Sequence, residues 1–258
     1  MRAADHPYFD YPFIAMAHRG GALLPTNVGR ENTMLAFSNA VDLGYRYLET
    51  DVHLTRDGQL VAFHDDELDR VSDRTGRIAD LPLCEVRKAR VGSEQIPTLD
   101  EVLDGFDCRI NIDLKAPGTE PALAEALRRH GAQDRVCVGS FSEVRLRRFR
   151  RLAGPAVATS VGRVGVALAM AADRVGVGLA PVGLAFQVPQ RTRLAGRVVE
   201  VVTPAFIERA HRWGRQVHVW TIDDEVTMAR LIDWGVDGLV SDRIDVLKQV
   251  CLARGLWT

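Results

Sequence analysis

FIAMAHRGG, residues 13–21, is a short apolar run that ends in a histidine, an arginine and two glycines. The run reads as a buried strand, and a buried strand has no structural need of two such side chains at its end. An open doubly wound sheet would lead from its first strand into a glycine-rich nucleotide loop, and HRGG is not that fingerprint. Seven further short runs follow: YRYLETDV (45–52), RINIDLK (109–115), RVCVGSF (135–141), AVATSV (156–161), GLAFQV (183–188), QVHVWTI (216–222) and DGLVSD (237–242). Helical patterns separate them. One runs from about Thr33 to Leu43, with Met34, Phe37 and Val41 on one face and Gly44 as its stop. Others run from Glu120 to a stop at Gly131, follow Ser142, and start at the Thr203-Pro204 pair. Repeated strand-helix alternation over roughly 250 residues predicts an α/β fold, a (β/α)8 TIM barrel. The open doubly wound sheet is the runner-up.

Residues 53–97 break the rhythm. DGQ (57–59) reads as a hairpin turn, LVAFH as a returning strand, and the rest lacks clear periodicity. This stretch is expected to be a small insertion after the second strand, within one domain spanning 1–258. Loops on that side of a barrel build its active site.

Composition narrows the field. The chain has 258 residues, 47% hydrophobic and 26% charged, with a formal net charge of −1. That balance argues against a general nucleic-acid or membrane-surface binder. The arginine-rich VRLRRFRRL (144–152) is read as a solvated helix face, with Val144 and Leu152 on one apolar stripe near Phe149. Cysteines 84, 108, 137 and 251 form no CxxC pair, so neither a zinc knuckle nor a disulfide framework is indicated. MRAADHPYFDYP (1–12) lacks the pattern of a signal peptide, and no run approaches a membrane span, so a cytoplasmic protein without stable membrane insertion is expected. Oligomeric state is not legible.

The polar residues converge on the barrel mouth. Glu49 and Asp51 lie two apart on a strand and so share a face, as do Asp113 and Lys115, while Ile112 and Leu114 face the helices. Three carboxylates at one mouth repel one another. A divalent cation, Mg²⁺ or Ca²⁺, would remove that cost, and pairing with Arg19, Lys115 or Arg46 is the bland alternative. His18 and His64, at the ends of neighbouring strands beside this cluster, suit acid-base chemistry. His6, His53, His130, His211 and His218 lack such company and are read as structural. The glycines after Arg19 are expected to let backbone approach a ligand.

At these residues the chain resembles the glycerophosphodiester phosphodiesterases, a family of metal-dependent phosphodiesterase barrels. The matching pieces are HRG (18–20), ENTMLAF (31–37), ETDVHLTRDGQLVAFHDDELDRVSDRTG (49–76), IPTLDEVL (96–103), NIDLK (111–115), SF (140–141), VWTID (219–223) and GVDGLVSD (235–242). They follow the family's order along nearly the whole chain. The resemblance implies the same barrel with an insertion after the second strand. It implies His18 and His64 as the acid-base pair, Glu49, Asp51 and Asp113 as ligands of one divalent metal, Arg19 and Lys115 at the phosphate, and Phe141 and Trp220 along the substrate cleft. Glu31 and Asn32 fall either at a helix cap or at the edge of the metal site. Three departures stand out: Asp113 where glutamate is usual, the longer link GALLPTNVGR, and VSD in the last strand, where Asp242 reads as the cap of the final helix.

The expected activity is hydrolysis of a small-molecule glycerophosphodiester to glycerol 3-phosphate and an alcohol. The nucleophile is either water or the glycerol's own neighbouring hydroxyl. A lysophospholipase D-like or phospholipase C-like enzyme is the related alternative. It would need an apolar entrance, to which Leu23, Leu24 and residues 78–91 could contribute. A non-catalytic barrel that binds phosphorylated metabolites is the alternative from another class.

Overall fold

Eight parallel strands form the frame of the computed structural model, which describes residues 1–171, 180–194 and 196–257. They are β1 (Ile14–His18), β2 (Tyr47–Leu54), β3 (Arg109–Leu114), β4 (Val136–Gly139), β5 (Ala158–Thr159), β6 (Ala185–Pro189), β7 (Gln216–Trp220) and β8 (Gly238–Ser241). Their order is β5-β4-β3-β2-β1-β8-β7-β6. The ring closes where Ser160 bridges Ala185 in parallel and the Val161 amide donates to the Ala185 carbonyl at 2.7 Å. Each predicted strand is present with shifted ends: most are shorter, whereas β2 runs on to Leu54 and β6 to Pro189. The fold is a (β/α)8 barrel.

Helices pack outside this ring, and their starts follow capping chemistry. Thr33 caps Met34–Asp42 by accepting the Ala36 amide at 3.2 Å. Thr98 and Glu101 form a reciprocal box at Leu99–Gly105. Ser142 caps Glu143–Ala153, and Thr203 caps Pro204–Arg212 with proline at its first position. Leu48, Val52, Ile112 and Leu114 turn outward into the apolar layer shared with these helices. Helix Glu143–Ala153 departs from the expected stripe: it buries Leu146 and Phe149, whereas Val144 and Leu152 are exposed. Two of its arginines do more than meet solvent. Arg145 donates to the Lys115 carbonyl at 2.7 Å, and Arg150 donates to the Ser160 carbonyl at 2.7 Å.

The two ends of the barrel interior differ. At the bottom, Ile14, Met16, Tyr47, Cys137, Ala158, Ala185 and Val240 form an apolar plug with Tyr8 and Phe9. Those aromatics come from the short N-terminal turns Ala3–Asp5 and Pro7–Phe9. The Tyr47 hydroxyl locks the plug by donating to the Tyr8 carbonyl at 2.5 Å. Polar groups therefore collect toward the other end, where the strands deliver their C-termini.

After β2 the chain turns back as Leu60–Ala62, antiparallel to β2, with Val52 opposite Ala62. The stretch that follows builds a small core of its own from Val61, Phe63, Leu68, Ile78, Val86, Ala89, Val91 and Ile96. Within 78–91, Ile78, Val86, Ala89 and Val91 pack here with Leu81 and Leu83 against them, whereas Ala79 is exposed and lines a side cleft. A second hairpin, Arg191–Leu194 with Arg197–Glu200, rises after β6. It has no counterpart in the sequence reading, because its residues are exposed on both faces and show no burial alternation.

Candidate active site

Register places the chemistry. His18 at the end of β1 lies beside Glu49 of β2, and Asp51 of β2 lies beside Asp113 of β3. His18, Glu49, Asp51, Asp113 and Lys115 thus meet at the C-terminal mouth. His64 joins them from the hairpin, two residues beyond its returning strand, where the Phe63 amide donates to the Asp51 carbonyl at 2.9 Å. His53 steadies the same turn, with its Nε2 3.0 Å from the His64 carbonyl.

Both site imidazoles are oriented through Nδ1 by a carboxylate. His18 Nδ1 donates to Asp242 Oδ1 at 2.8 Å, and His64 Nδ1 donates to Asp65 Oδ1 at 2.5 Å. A carboxylate only accepts, so each ring carries its proton on Nδ1 and keeps Nε2 for other partners. His18 Nε2 lies 3.8 Å from Glu49. Burial lowers the proton affinity of His18, but Glu49 and Asp242 more than offset it, and its pKa is raised. Asp242 does not cap the final helix. That helix begins at Ile244 after Arg243, and the Asp242 side chain turns to His18 instead.

The acids and bases are tightly coupled. Lys115 Nζ bridges Asp51 Oδ1 at 2.9 Å and Asp113 Oδ2 at 2.8 Å. Arg19 Nε lies 3.3 Å from Asp51, and its Nη1 donates to Glu31 at 3.0 Å. Burial opposes the charge on Asp51, but Lys115 and Arg19 outweigh it and hold the carboxyl below its usual value. Glu49 receives less help. Burial first, then the Asp51 charge, pushes it up to about 7. Asn32 and Arg19 sit in left-handed backbone, at φ 57° and 51°. This conformation is uncommon outside glycine and concentrates at functional sites. It lets the Asn32 amide donate to the Arg19 carbonyl at 2.9 Å while its side chain reaches Asp51 at 3.2 Å. Glu31 and Asn32 therefore belong to the acidic cluster's edge, and the helix cap is Thr33.

Gly20 and Gly21 have a role other than the expected one. Their φ values are 84° and 87°, and a Cβ at Gly20 would lie 2.8 Å from Ala36. The space they leave is filled by packed side chains and helix backbone. Phe141 and Trp220 meet edge to face across the rim at 5.5 Å between centroids, with Lys115 Nζ 5.8 Å from the Phe141 ring. A cleft of about 810 Å³ opens beside the cluster. His64, Asp65, Arg70 and Lys115 line it near the cluster, and Arg56 and Arg77 line it further out.

Among the described residues, no three His, Cys, Asp or Glu side chains converge closely enough to hold a metal ion as they stand. The donor chemistry nonetheless fits a hard cation, because Glu49, Asp51 and Asp113 offer only oxygen. The Lys115 ammonium already sits between two of these acids, and Glu49 is left short of positive charge.

Eight parallel strands with a polar mouth of this kind define a (β/α)8 barrel enzyme. Residues 18–246 match the glycerophosphoryl diester phosphodiesterase family, and the chain belongs to it. The chain is 41% identical over 250 residues to "Probable glycerophosphodiester phosphodiesterase 2" of Mycobacterium tuberculosis, covering 95% of this chain and 92% of the relative. It is 30% identical to a glycerophosphodiester phosphodiesterase of Caldanaerobacter subterraneus, covering 91% and 96%. Among solved structures, an Oleispira antarctica phosphodiesterase in complex with the product sn-glycerol-3-phosphate superposes with a TM-score of 0.76 at 26% identity, covering 95% of this chain and 98% of that one. No described helix is long and apolar enough to cross a membrane.

Proposed function

We propose that the chain hydrolyses glycerophosphodiesters to glycerol 3-phosphate and an alcohol, with one divalent metal ion, Mg²⁺ or Ca²⁺, at the mouth. Glu49, Asp51 and Asp113 would hold the ion. When bound, it would supply Lewis-acid polarisation of the phosphoryl oxygens. The observation that carries this reading is the matched pair of imidazoles, each held at Nδ1 by its own carboxylate. Binding alone needs no such pair, which weighs against a non-catalytic barrel.

A phosphodiester is anionic and its leaving alkoxide is a strong base. One histidine Nε2 takes a proton from the attacking water or glycerol hydroxyl, and the other gives a proton to the leaving oxygen; where the glycerol hydroxyl attacks, water then opens the cyclic phosphate with the two proton transfers reversed. Each transfer contributes about 10²- to 10⁴-fold. Arg19 and Lys115 offset the charge that grows on the oxygens, provided they exchange part of their present carboxylate pairing for phosphate. The product complex of the Oleispira relative supports glycerol 3-phosphate as the fragment retained here. The largely charged lining of the side cleft supports a small polar alcohol over an acyl chain; of residues 78–91, Ile78, Val86, Ala89 and Val91 pack internally and Ala79 contributes to the cleft wall.

The test is release of glycerol 3-phosphate from glycerophosphodiesters of choline, ethanolamine and glycerol, with lysophospholipids as the comparison. Turnover of the diesters, abolished in His18→Ala and His64→Ala while the fold survives, is expected. Near-normal rates in either variant would remove that histidine from the chemistry.

A further inference from the structure

We propose that Arg70, supplied by the segment after β2, is a positioning residue for His64; this rests on the acid-base role given to His64 above. Asp65 uses one oxygen for His64 and the other for Arg70, whose Nε donates to Asp65 Oδ2 at 2.5 Å. The same guanidinium forks onto Glu31, with Nη2 on Oε1 at 2.7 Å and Nη1 on Oε2 at 3.1 Å. Glu31 Oε1 in turn accepts from Arg19. One planar group thus ties the loop after β1 to the hairpin that carries His64.

The charge states fit the clamp. Burial opposes ionisation of Glu31, yet Arg70 and Arg19 outweigh it and hold its pKa down. Asp65 is likewise held down against its partial burial by Arg70 and then His64. Both carboxylates therefore stay charged and demand a cation between them. His64 sits in a turn beyond a three-residue strand, whereas His18 ends a barrel strand. The orientation of His64 depends on Asp65, and among the described residues Arg70 is the side chain that anchors Asp65 besides the imidazole itself. Lysine cannot replace this anchor, because a point ammonium lacks the fork that spans two carboxylates.

The experiment uses the full chain with ¹⁵N-labelled histidine and compares wild type, Arg70→Ala, Arg70→Lys and Asp65→Asn. The His64 ring of wild type should show one tautomer, protonated at Nδ1. Arg70→Ala should give a mixture and lower kcat about 10- to 100-fold with KM changed less than threefold. Arg70→Lys should recover little. In the Asp65→Asn background, Arg70→Ala should cost less than twofold, since the two act in series. Wild-type His64 signals in Arg70→Ala would overturn the proposal. So would a kcat loss that persists undiminished in the Asp65→Asn background. The ring spectra decide the positioning even in a protein that turns over no diester, so failure of the hydrolase reading and failure of this proposal are separate results.

Discussion

Asp242→Ala should disable His18 without unfolding the barrel. The Asp242 carboxylate accepts from His18 Nδ1 at 2.8 Å, with both side chains less than one-fifth exposed, at 15% and 19%. A hydrogen bond to a charged acceptor contributes about 1.5 to 3 kcal/mol. At about 1.4 kcal/mol per decade of rate, its loss in the transition state corresponds to roughly 10- to 100-fold in kcat. Asp242→Asn keeps a neutral acceptor and should fall near the lower bound, with the alanine variant near the upper. The fold should hold, because it is the Asp242 backbone amide that Asp223 engages, at 2.8 Å. The assay is steady-state release of glycerol 3-phosphate, with circular dichroism melts as the control for folding. The ¹⁵N spectrum of the His18 ring should lose its single Nδ1-protonated tautomer in Asp242→Ala. A kcat for Asp242→Ala within twofold of wild type would refute the reasoning, as would an unchanged His18 ring spectrum.

Other parts of the structure make separate predictions. Burial holds His218 down to about 4 against the Asp237 charge, and its Nε2 lies 2.8 Å from the Gln216 side-chain oxygen. The unfolded chain takes up this proton near the ordinary 6.5 and the folded chain does not. Stability is therefore complete above that value and falls by about 3 kcal/mol as the pH drops to 4. Urea midpoints at pH 7 and pH 4.5 should converge in His218→Asn relative to wild type; an unchanged gap would contradict this. Tyr8→Ala removes a fully buried ring from the barrel plug and should cost about 3 to 5 kcal/mol in urea unfolding; a cost below 1 kcal/mol would mean that the N-terminal turns do not seal the bottom. Gly20→Ala places a Cβ 2.8 Å from Ala36 at a φ of 84° and should destabilise by about 2 to 4 kcal/mol, read in the same assay.

The barrel was legible because each central strand is an apolar run flanked by helix caps and glycine stops. Glu49 with Asp51, and Asp113 with Lys115, were legible because the two-residue period of a strand puts alternate side chains on one face. What escaped lies where orientation depends on a neighbour distant in the chain. Asp242 reads as a cap until β1 and β8 are paired and His18 is beside it. Arg70 is one charge among many in an aperiodic segment, and only the folded loops bring Glu31 and Asp65 to either side of it. The glycines of HRGG suggested room for a ligand, but the approaching helix could not be read from them. In helix Glu143–Ala153, five arginines mask the Leu146 and Phe149 spacing that sets the buried face.

The central claim is that the carboxylates at the mouth hold a divalent cation on which hydrolysis depends. Its most direct measurement is calorimetric titration of chelator-stripped protein with Mg²⁺ and Ca²⁺, paired with glycerol 3-phosphate release before and after metal is returned. The account predicts one bound ion per chain, activity that is lost on stripping and restored by the ion, and neither binding nor restoration in Glu49→Gln or Asp51→Asn. Full activity in stripped protein, or metal binding unchanged by both substitutions, would contradict it.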